Sequence, residues 1–197
     1  MKRIVAVLFL ITLSFTATAQ NDPQALYKLG QDAMTHGEPA KAVEYFEKLV
    51  ALKPTNADYQ YQLGVAYAQA GTNAGMFGGL SMMKSMKASF EKAIQLDPNL
   101  IVARFGLLEF HLNAPSMFGS SEAGALEQAT AIRKRDAIEG HRAFARIQTK
   151  ASKQDLARKE YVDMLREQPA SARAHYYYGV YLMITEKNYK AASEELE

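Results

Sequence analysis

The chain has 197 residues, of which 48% are hydrophobic and 22% charged, and its formal net charge is +2. This length and composition suffice for one ordinary domain with a buried core, and they are not those of a disordered, collagen-like or disulfide-stabilised protein. Because cysteine is absent from the sequence, disulfides, Cys-ligated metal sites and a lipid anchor on an N-terminal cysteine are excluded.

The first 19 residues have the layout of a secretory signal peptide. Lys2 and Arg3 precede an apolar stretch over residues 4–13, and Ala17-Thr18-Ala19 supplies small residues for cleavage after Ala19. A membrane-spanning anchor is the alternative, but this stretch is shorter than the ~20 residues that cross a bilayer. We therefore expect an exported protein, periplasmic or secreted, with no stable membrane anchor after cleavage. Without Lys2 and Arg3 the mature chain is formally neutral, which argues against nucleic-acid binding.

Two kinds of helical pattern alternate along the rest of the chain. The first kind has a small residue at its centre, at Gly30, Gly64, Ala145 and Gly179. The second starts at an aromatic residue and ends at a proline, which cannot continue a helix, and it occupies residues 46–54, 90–98 and 161–169. Glycine inside a helix costs about 1 kcal/mol relative to alanine. Its recurrence therefore indicates close approach of two antiparallel helices, for which Ala42, Ala157 and Ala191 offer the matching small surface.

This pattern resembles the tetratricopeptide repeat, a helix–turn–helix unit of roughly 34 residues, over essentially the whole mature chain. The resemblance implies an all-α fold, a right-handed superhelical solenoid of antiparallel helix pairs, in one domain over residues 20–197. We place the repeats at 23–56, 57–100, 101–137, 138–171 and, incomplete, 172–197.

Two repeats carry insertions between their helices, at residues 73–81 and 113–121, and both insertions contain Met-Phe-Gly. They resemble the glycine-rich intra-repeat loops of a group of bacterial exported tetratricopeptide proteins. The residues of interest are Met76, Phe77, Met117 and Phe118. They form either one contact site on the edge of the solenoid or plugs beneath the second helices. We favour the plugs, because apolar loop residues usually pack.

Patterns that support catalysis or metal binding are missing from the sequence. The histidines, His36, His111, His141 and His175, are not three or four residues apart, so no helical face presents a metal-binding pair. We interpret them as surface or interface residues. A nucleophile elbow and a phosphate-binding Gly-Lys-Ser/Thr loop are also missing. We predict a protein that is not an enzyme and uses neither cofactor nor metal.

The resemblance also implies which residues face a binding groove, because the first helix of each tetratricopeptide repeat lines the concave surface. The equivalent positions carry an aromatic residue in four repeats and an arginine in the remaining one. They are Tyr27 and Gln31, Tyr61 and Val65, Phe105 and Glu109, Arg142, Arg146 and Lys150, and Tyr176 and Val180. The core is expected at Leu26, Leu29, Leu63, Leu107 and Phe144. The aromatic row is then exposed for binding, which we favour, or buried in a tightly wound superhelix.

A basic segment overlaps this groove. Between Arg133 and Lys159 there are nine Lys/Arg against three Asp/Glu, and Arg142, Arg146 and Lys150 share one helical face. The face is either simply solvated or binds an anionic partner, such as an acidic segment or a chain-terminal carboxylate. The lysine–asparagine carboxylate clamp of some tetratricopeptide domains is not reproduced, since Tyr27 and Gln31 stand at its first positions.

These observations predict a non-catalytic envelope adaptor that binds an unidentified protein or peptide in its groove. A module that associates with other copies of itself and a carrier of a small ligand are the two alternatives. The sequence stops inside the second helix of the last repeat, where Tyr177, Tyr181 and Leu182 would have little to cover them. We expect a truncated sequence or a face covered by a partner or a second copy, against the alternative of a short frayed terminal helix.

Overall fold

The computed structural model describes residues 22–73 and 75–196, and helices make up most of this part of the chain. The α-helices are α1 (Pro23–Thr35), α2 (Pro39–Leu52), α3 (Ala57–Asn73), α4 (Gly75–Leu96), α5 (Ile101–Asn113), α6 (Glu122–Arg133), α7 (Ala137–Lys150), α8 (Gln154–Glu167), α9 (Ala172–Tyr181) and α10 (Tyr189–Leu196). A 3-10 turn, Ser116–Phe118, precedes α6, and a π-helical turn, Leu182–Glu186, follows α9. The described residues contain no strand, so the all-α prediction is confirmed. The predicted signal peptide lies outside them.

The helices fall into two compact units, of which the first ends at Ala103 and the second begins at Arg104. In the first unit α1 packs on α2, α2 on α3, and α3 on α4. In the second unit α6 packs on α7, α7 on α8, α8 on α9, and α9 on α10. In each of these pairs, helices that are neighbours in sequence contact each other, as in a helix–turn–helix repeat. Within the described ranges, none of these helices is both long and apolar enough to cross a membrane.

Side-chain caps mark the starts of several helices. The capping residues each accept a hydrogen bond from a main-chain N–H of the first turn, and they are Asp22, Ser121, Asp136 and Ser171. Pro23 and Pro39 lie in the first turns of α1 and α2, where the missing N–H removes no helical hydrogen bond. The local sequence thus determines where these helices begin.

Glycine allows close helix contacts in the first unit. A Cβ on Gly30 would lie 2.7 Å from Cζ of Phe46, and a Cβ on Gly64 would lie 2.6 Å from Cε1 of Phe90. Each ring therefore occupies the space that the Cβ of a residue other than glycine would need at these two positions. Phe46 and Phe90 are 0% and 3% exposed, which places these contacts in the core.

The expected core residues are only partly correct. Leu26, Leu63 and Leu107 are buried, but Leu29 is 44% exposed because the buried face of α1 follows Leu26 and Gly30 and leaves Leu29 at its edge. Phe144 is half-buried, and the guanidinium of Arg133 lies over its ring, 4.1 Å from the centroid.

The predicted loop at residues 73–81 is wrong, because residues 75–81 belong to α4. A Cβ on Gly79 would lie 3.1 Å from the carbonyl oxygen of Gly71, and a Cβ on Gly71 would lie 3.3 Å from Cβ of Met82. The glycines thus allow α3 and α4 to pack closely as helices. Gly75, with φ of +64°, makes the reversal between them. The second insertion, residues 113–121, is a connection that contains the 3-10 turn.

The last helix pair covers the residues that the sequence analysis left exposed. Tyr181 and Leu182 are 5% and 2% exposed, because the π-helical turn lets α10 pack on α9 and brings both side chains against Ala157 and Ala192. Tyr177 is half-buried. The expectation that these three side chains lack cover is therefore wrong.

The π-helical turn also changes the register of this pair. Phe46 follows Gly30 by 16 residues, whereas Leu196, which lies against Gly179, follows it by 17. A π-helical turn takes one more residue than an α-helical turn. The buried small residue of α10 is consequently Ala192 and not the predicted Ala191, which is half-buried.

Candidate functional site

A pocket of about 450 Å³ lies in the second unit and is lined by residues of α5, α7, α8, α9 and the π-helical turn. Six of the expected groove residues line it together: Phe105, Glu109, Arg142, Arg146, Tyr176 and Val180. We call it the Arg142 pocket. The pocket therefore brings these expected groove residues together in one site.

Arg146 is held by a bidentate pair with a glutamate of α5. Its Nε and Nη2 donate to Oε1 and Oε2 of Glu109 at 2.5 and 2.8 Å, the planar geometry that suits guanidinium and carboxylate. This hydrogen bonding raises the pKa of Arg146. Asn113 donates to Glu109 Oε2 at 2.8 Å and accepts from Lys150 Nζ at 2.9 Å. Lys150, expected in the groove, is thus linked to Glu109 through Asn113.

Arg142 lies between two aromatic rings. Its guanidinium carbon is 4.9 Å from the ring centroid of Phe105 and 4.2 Å from that of Tyr177. Its Nη1 donates to Glu139, and the hydroxyl of Tyr177 donates to the same carboxylate at 2.8 Å. Burial and this hydrogen bond raise the pKa of Tyr177. One carboxylate, itself 9% exposed, therefore fixes both the cation and a ring that covers it.

Tyr161 belongs to the pocket and was missed by the sequence analysis. It occupies the place of Phe46 and Phe90 in the repeated pattern, but the first helix of its pair carries Ala145 where theirs carries glycine. A Cβ at Gly30 would collide with the Phe46 ring. Because Ala145 carries such a Cβ, the Tyr161 ring cannot pack in the position equivalent to that of Phe46. Its ring packs instead against Tyr178 and Tyr181, with centroids 5.8 and 4.6 Å away, and lines the pocket. Burial raises the pKa of its hydroxyl. The exchange of glycine for Ala145 is the signal that could have revealed it.

The groove residues of the first unit make separate contacts. Gln62 donates to the hydroxyl of Tyr27 at 3.3 Å and accepts from Gln31 at 3.0 Å, so it joins these two residues. The Tyr27 ring packs edge-on against Phe46, with centroids 6.1 Å apart. Tyr61 packs against Phe90 at 6.0 Å. Tyr27 and Tyr61 are half-buried, as is Val65.

The Met-Phe-Gly residues are described unequally. Met117 is 81% exposed and Phe118 is half-buried, so Phe118 packs against the protein and Met117 does not. Met76 and Phe77 lie on α4, and their side chains are outside the described part of the structure. A single contact site made by both insertions stays a prediction.

Of the two alternatives predicted for His141, a surface or an interface residue, the surface alternative is wrong because His141 is buried. Its Nδ1 is 2.8 Å from Oε2 of Glu160, its Nε2 is 3.3 Å from Oε2 of Glu167, and Arg133 donates to Glu160 at 2.5 Å. The cluster joins α6, α7 and α8. In the described ranges, no group of three or more His, Asp or Glu is arranged to hold a metal ion.

Comparisons with known proteins agree with this architecture. The family model of the tetratricopeptide repeat matches residues 27–75. TTC0263, a thermophilic tetratricopeptide-repeat protein of Thermus thermophilus, is similar in structure, with a TM-score of 0.65 at 19% identity over 92% of this chain and 97% of that chain. MamA of Desulfovibrio magneticus RS-1 gives a TM-score of 0.52 at 15% identity over 88% of this chain and 90% of that chain. No curated protein matches the sequence.

A human IFIT1 dimer with m7Gppp-AAAA gives a TM-score of 0.60 at 16% identity over 88% of this chain and 46% of that chain. Such low identities show the shared fold. The family model shows tetratricopeptide-repeat sequence over residues 27–75, and the similar structures show that the chain shares the fold of tetratricopeptide-repeat proteins. Tetratricopeptide-repeat proteins generally serve as non-catalytic scaffolds for protein interaction.

Proposed function

We propose that the chain is a non-catalytic adaptor that binds a protein or peptide segment in the Arg142 pocket. The observation that carries this proposal is the Arg142 guanidinium held between Phe105 and Tyr177 and fixed by Glu139. Aromatic residues and arginine are the residue types enriched where proteins bind one another. Tyr176, 56% exposed, extends this surface from its contact with Tyr177.

Fixed side chains favour binding because they lose little conformational freedom when a partner arrives. The bidentate bonds to Arg146 and the two bonds to Glu139 hold the polar side chains of the pocket in one arrangement before any partner is present. A pocket made in this way supports a binding role, and it needs no chemical step.

Peptide selection tests the proposal. A random peptide library displayed on phage is selected against residues 20–197, and the selected peptides are measured against Tyr176→Ala and the matched control Tyr189→Ala. Both tyrosines are exposed, at 56% and 66%, but only Tyr176 lines the pocket. We expect Tyr176→Ala to weaken binding by about tenfold or more and Tyr189→Ala to leave it unchanged. Failure to select any peptide, or equal effects of the two substitutions, would contradict the proposal.

A small-ligand carrier is the second candidate, because about 450 Å³ falls within the usual size of small-molecule pockets, roughly 300–1,000 Å³. Native mass spectrometry of the protein purified from its own envelope fraction distinguishes the two. A bound small molecule that is lost in Tyr176→Ala would favour the carrier.

We also propose that the adaptor works outside the cytoplasm, in the periplasm or after secretion. Lys2 and Arg3, the apolar stretch after them and Ala17-Thr18-Ala19 support export. N-terminal sequencing of the protein from the envelope fraction is expected to begin at Gln20. Recovery of the uncleaved chain in the cytoplasm would contradict the proposal.

A further inference from the structure

We propose that the Arg142 pocket selects an uncharged peptide with aromatic side chains and discriminates against an acidic one, an inference that rests on the proposed peptide-binding function. The charge of the basic segment between Arg133 and Lys159 would by itself favour an acidic peptide. The contacts made by its arginines decide between these two partner classes.

The charges that line the pocket are matched within the second unit. Arg146 is paired with Glu109 through two hydrogen bonds, and Arg142 is paired with Glu139. An acidic side chain that approaches either arginine would lie beside the carboxylate already paired with it. Two like charges at that distance repel.

The neighbouring cations do not restore a free positive charge inside the pocket. Lys150 is outside the lining and donates to Asn113. Arg173, also outside it, donates to both carboxylate oxygens of Asp136 at 3.0 and 2.7 Å and lies 3.8 Å from Glu139. An acidic peptide therefore meets cations that already have carboxylate or amide partners.

Aromatic and aliphatic surface remains available for binding. Tyr161, Tyr176, Tyr177 and Val180 line the pocket, as does Ile184, which is 66% exposed. Aromatic rings pack well against such walls because they bury a large area with few rotatable bonds. About 450 Å³ gives room for one or two large side chains.

The paired arginines still have a role toward such a peptide. A guanidinium has five N–H donors, and Arg146 uses its Nε and Nη2 toward Glu109 while Arg142 uses Nη1 toward Glu139. The remaining donors suit main-chain carbonyl oxygens, which carry no net charge. Recognition then combines apolar side chains with uncharged peptide groups.

Two capped peptides of equal length test the inference. The first is Ac-Gly-Ser-Trp-Ser-Phe-Ser-Gly-NH2, and the second has Glu in place of Trp and Phe. Binding to the immobilised residues 20–197 is measured at about 50 mM and about 500 mM salt, because salt screens charge–charge attraction and leaves apolar contacts. We expect the aromatic peptide to bind at least about tenfold more tightly, with little change between the two salt concentrations. Its binding should weaken in Tyr176→Ala and stay unchanged in Tyr189→Ala.

A second variant tests the reason for the selectivity. Glu109→Gln keeps the size of the side chain and removes the charge that pairs with Arg146. This substitution should increase binding of the Glu peptide several-fold. Unchanged binding of the Glu peptide to this variant would overturn the argument from paired charges.

The remaining outcomes separate the two proposals. Tighter binding of the Glu peptide to the unsubstituted protein, with an affinity that falls steeply as salt rises, would overturn the inference and leave peptide binding intact. No binding of either peptide, together with a failed library selection, would overturn both. Binding of library peptides that lack aromatic residues would overturn the inference alone.

Discussion

Gly30 and Phe46 are in close contact across the first helix pair, since a Cβ on Gly30 would lie 2.7 Å from Cζ of the ring. Gly64 and Phe90 repeat this relationship at 2.6 Å, and Gly179 repeats it with Cγ of Leu196, also at 2.6 Å. Ala145 departs from the pattern, and in its pair Tyr161 lines the Arg142 pocket. The same pairing position therefore closes the core in some repeats and opens a pocket in another.

Replacing Gly64 by alanine tests this contact. Alanine is the better helix former, yet the added methyl group must displace the Phe90 ring. We expect Gly64→Ala to lower the free energy of unfolding by about 1–3 kcal/mol, measured by urea denaturation. The control Gln69→Ala, on the exposed side of α3, should change it little. Introduced together with Phe90→Leu, the glycine substitution should cost less than it does alone. An unchanged stability of Gly64→Ala would contradict the close contact.

The buried end of the second unit gives a matched pair of substitutions. Leu182 is 2% exposed and Ile184 is 66% exposed, although both lie in the π-helical turn. Leu182→Ala should lower the free energy of unfolding by about 2–5 kcal/mol because it leaves a cavity. Ile184→Ala should lower it by less than about 0.5 kcal/mol. Similar effects of the two would show that α10 does not pack on α9 in solution.

His175 predicts a pH dependence of stability. Its Nδ1 is 2.6 Å from Oε2 of Glu195 and its Nε2 is 3.0 Å from the carbonyl oxygen of Pro169. Both acceptors favour the charged ring. The hydrogen bond to the Pro169 carbonyl is the largest cause of the raised pKa of His175, and the hydrogen bond to Glu195 is the second. Because the folded pKa exceeds the unfolded value of about 6.5, this contribution is full below about pH 6.5 and is lost as the pH rises through the folded pKa.

Melting temperatures of the unsubstituted protein and of His175→Gln, measured between about pH 6 and pH 8, test that dependence. The difference between the two proteins should be largest at the acidic end and shrink as the pH rises. A difference that stays constant, or grows with pH, would contradict the contacts of His175.

The sequence predicts contacts that are local and repeated better than those that depend on distant residues. The glycines at 30 and 64 are recognisable because their helical pairing positions recur at a fixed spacing. Glycines 75 and 79 are ambiguous, since glycine permits a turn and also close helix packing. In α4 it does both.

The candidate site is less predictable for the same reason. The charge of the basic segment was counted over residues 133–159, but Glu109, which neutralises Arg146, lies on α5 outside that segment. Tyr161 reaches the pocket from a second helix, whereas the resemblance assigned the groove to first helices. The buried residue is Ala192 and not the predicted Ala191 because of a π-helical turn that no sequence pattern indicated.

Chemical-shift mapping tests the central claim most directly. Isotope-labelled residues 20–197 are titrated with the aromatic peptide, and changes are followed at the Arg142 and Arg146 side-chain N–H groups and at main-chain groups of Phe105 and Tyr176. Saturable changes at these four residues, lost in Tyr176→Ala, are the predicted result. Saturable changes confined to Tyr27, Gln31 and Gln62, with Arg142 and Arg146 unaffected, would contradict the assignment of binding to the Arg142 pocket.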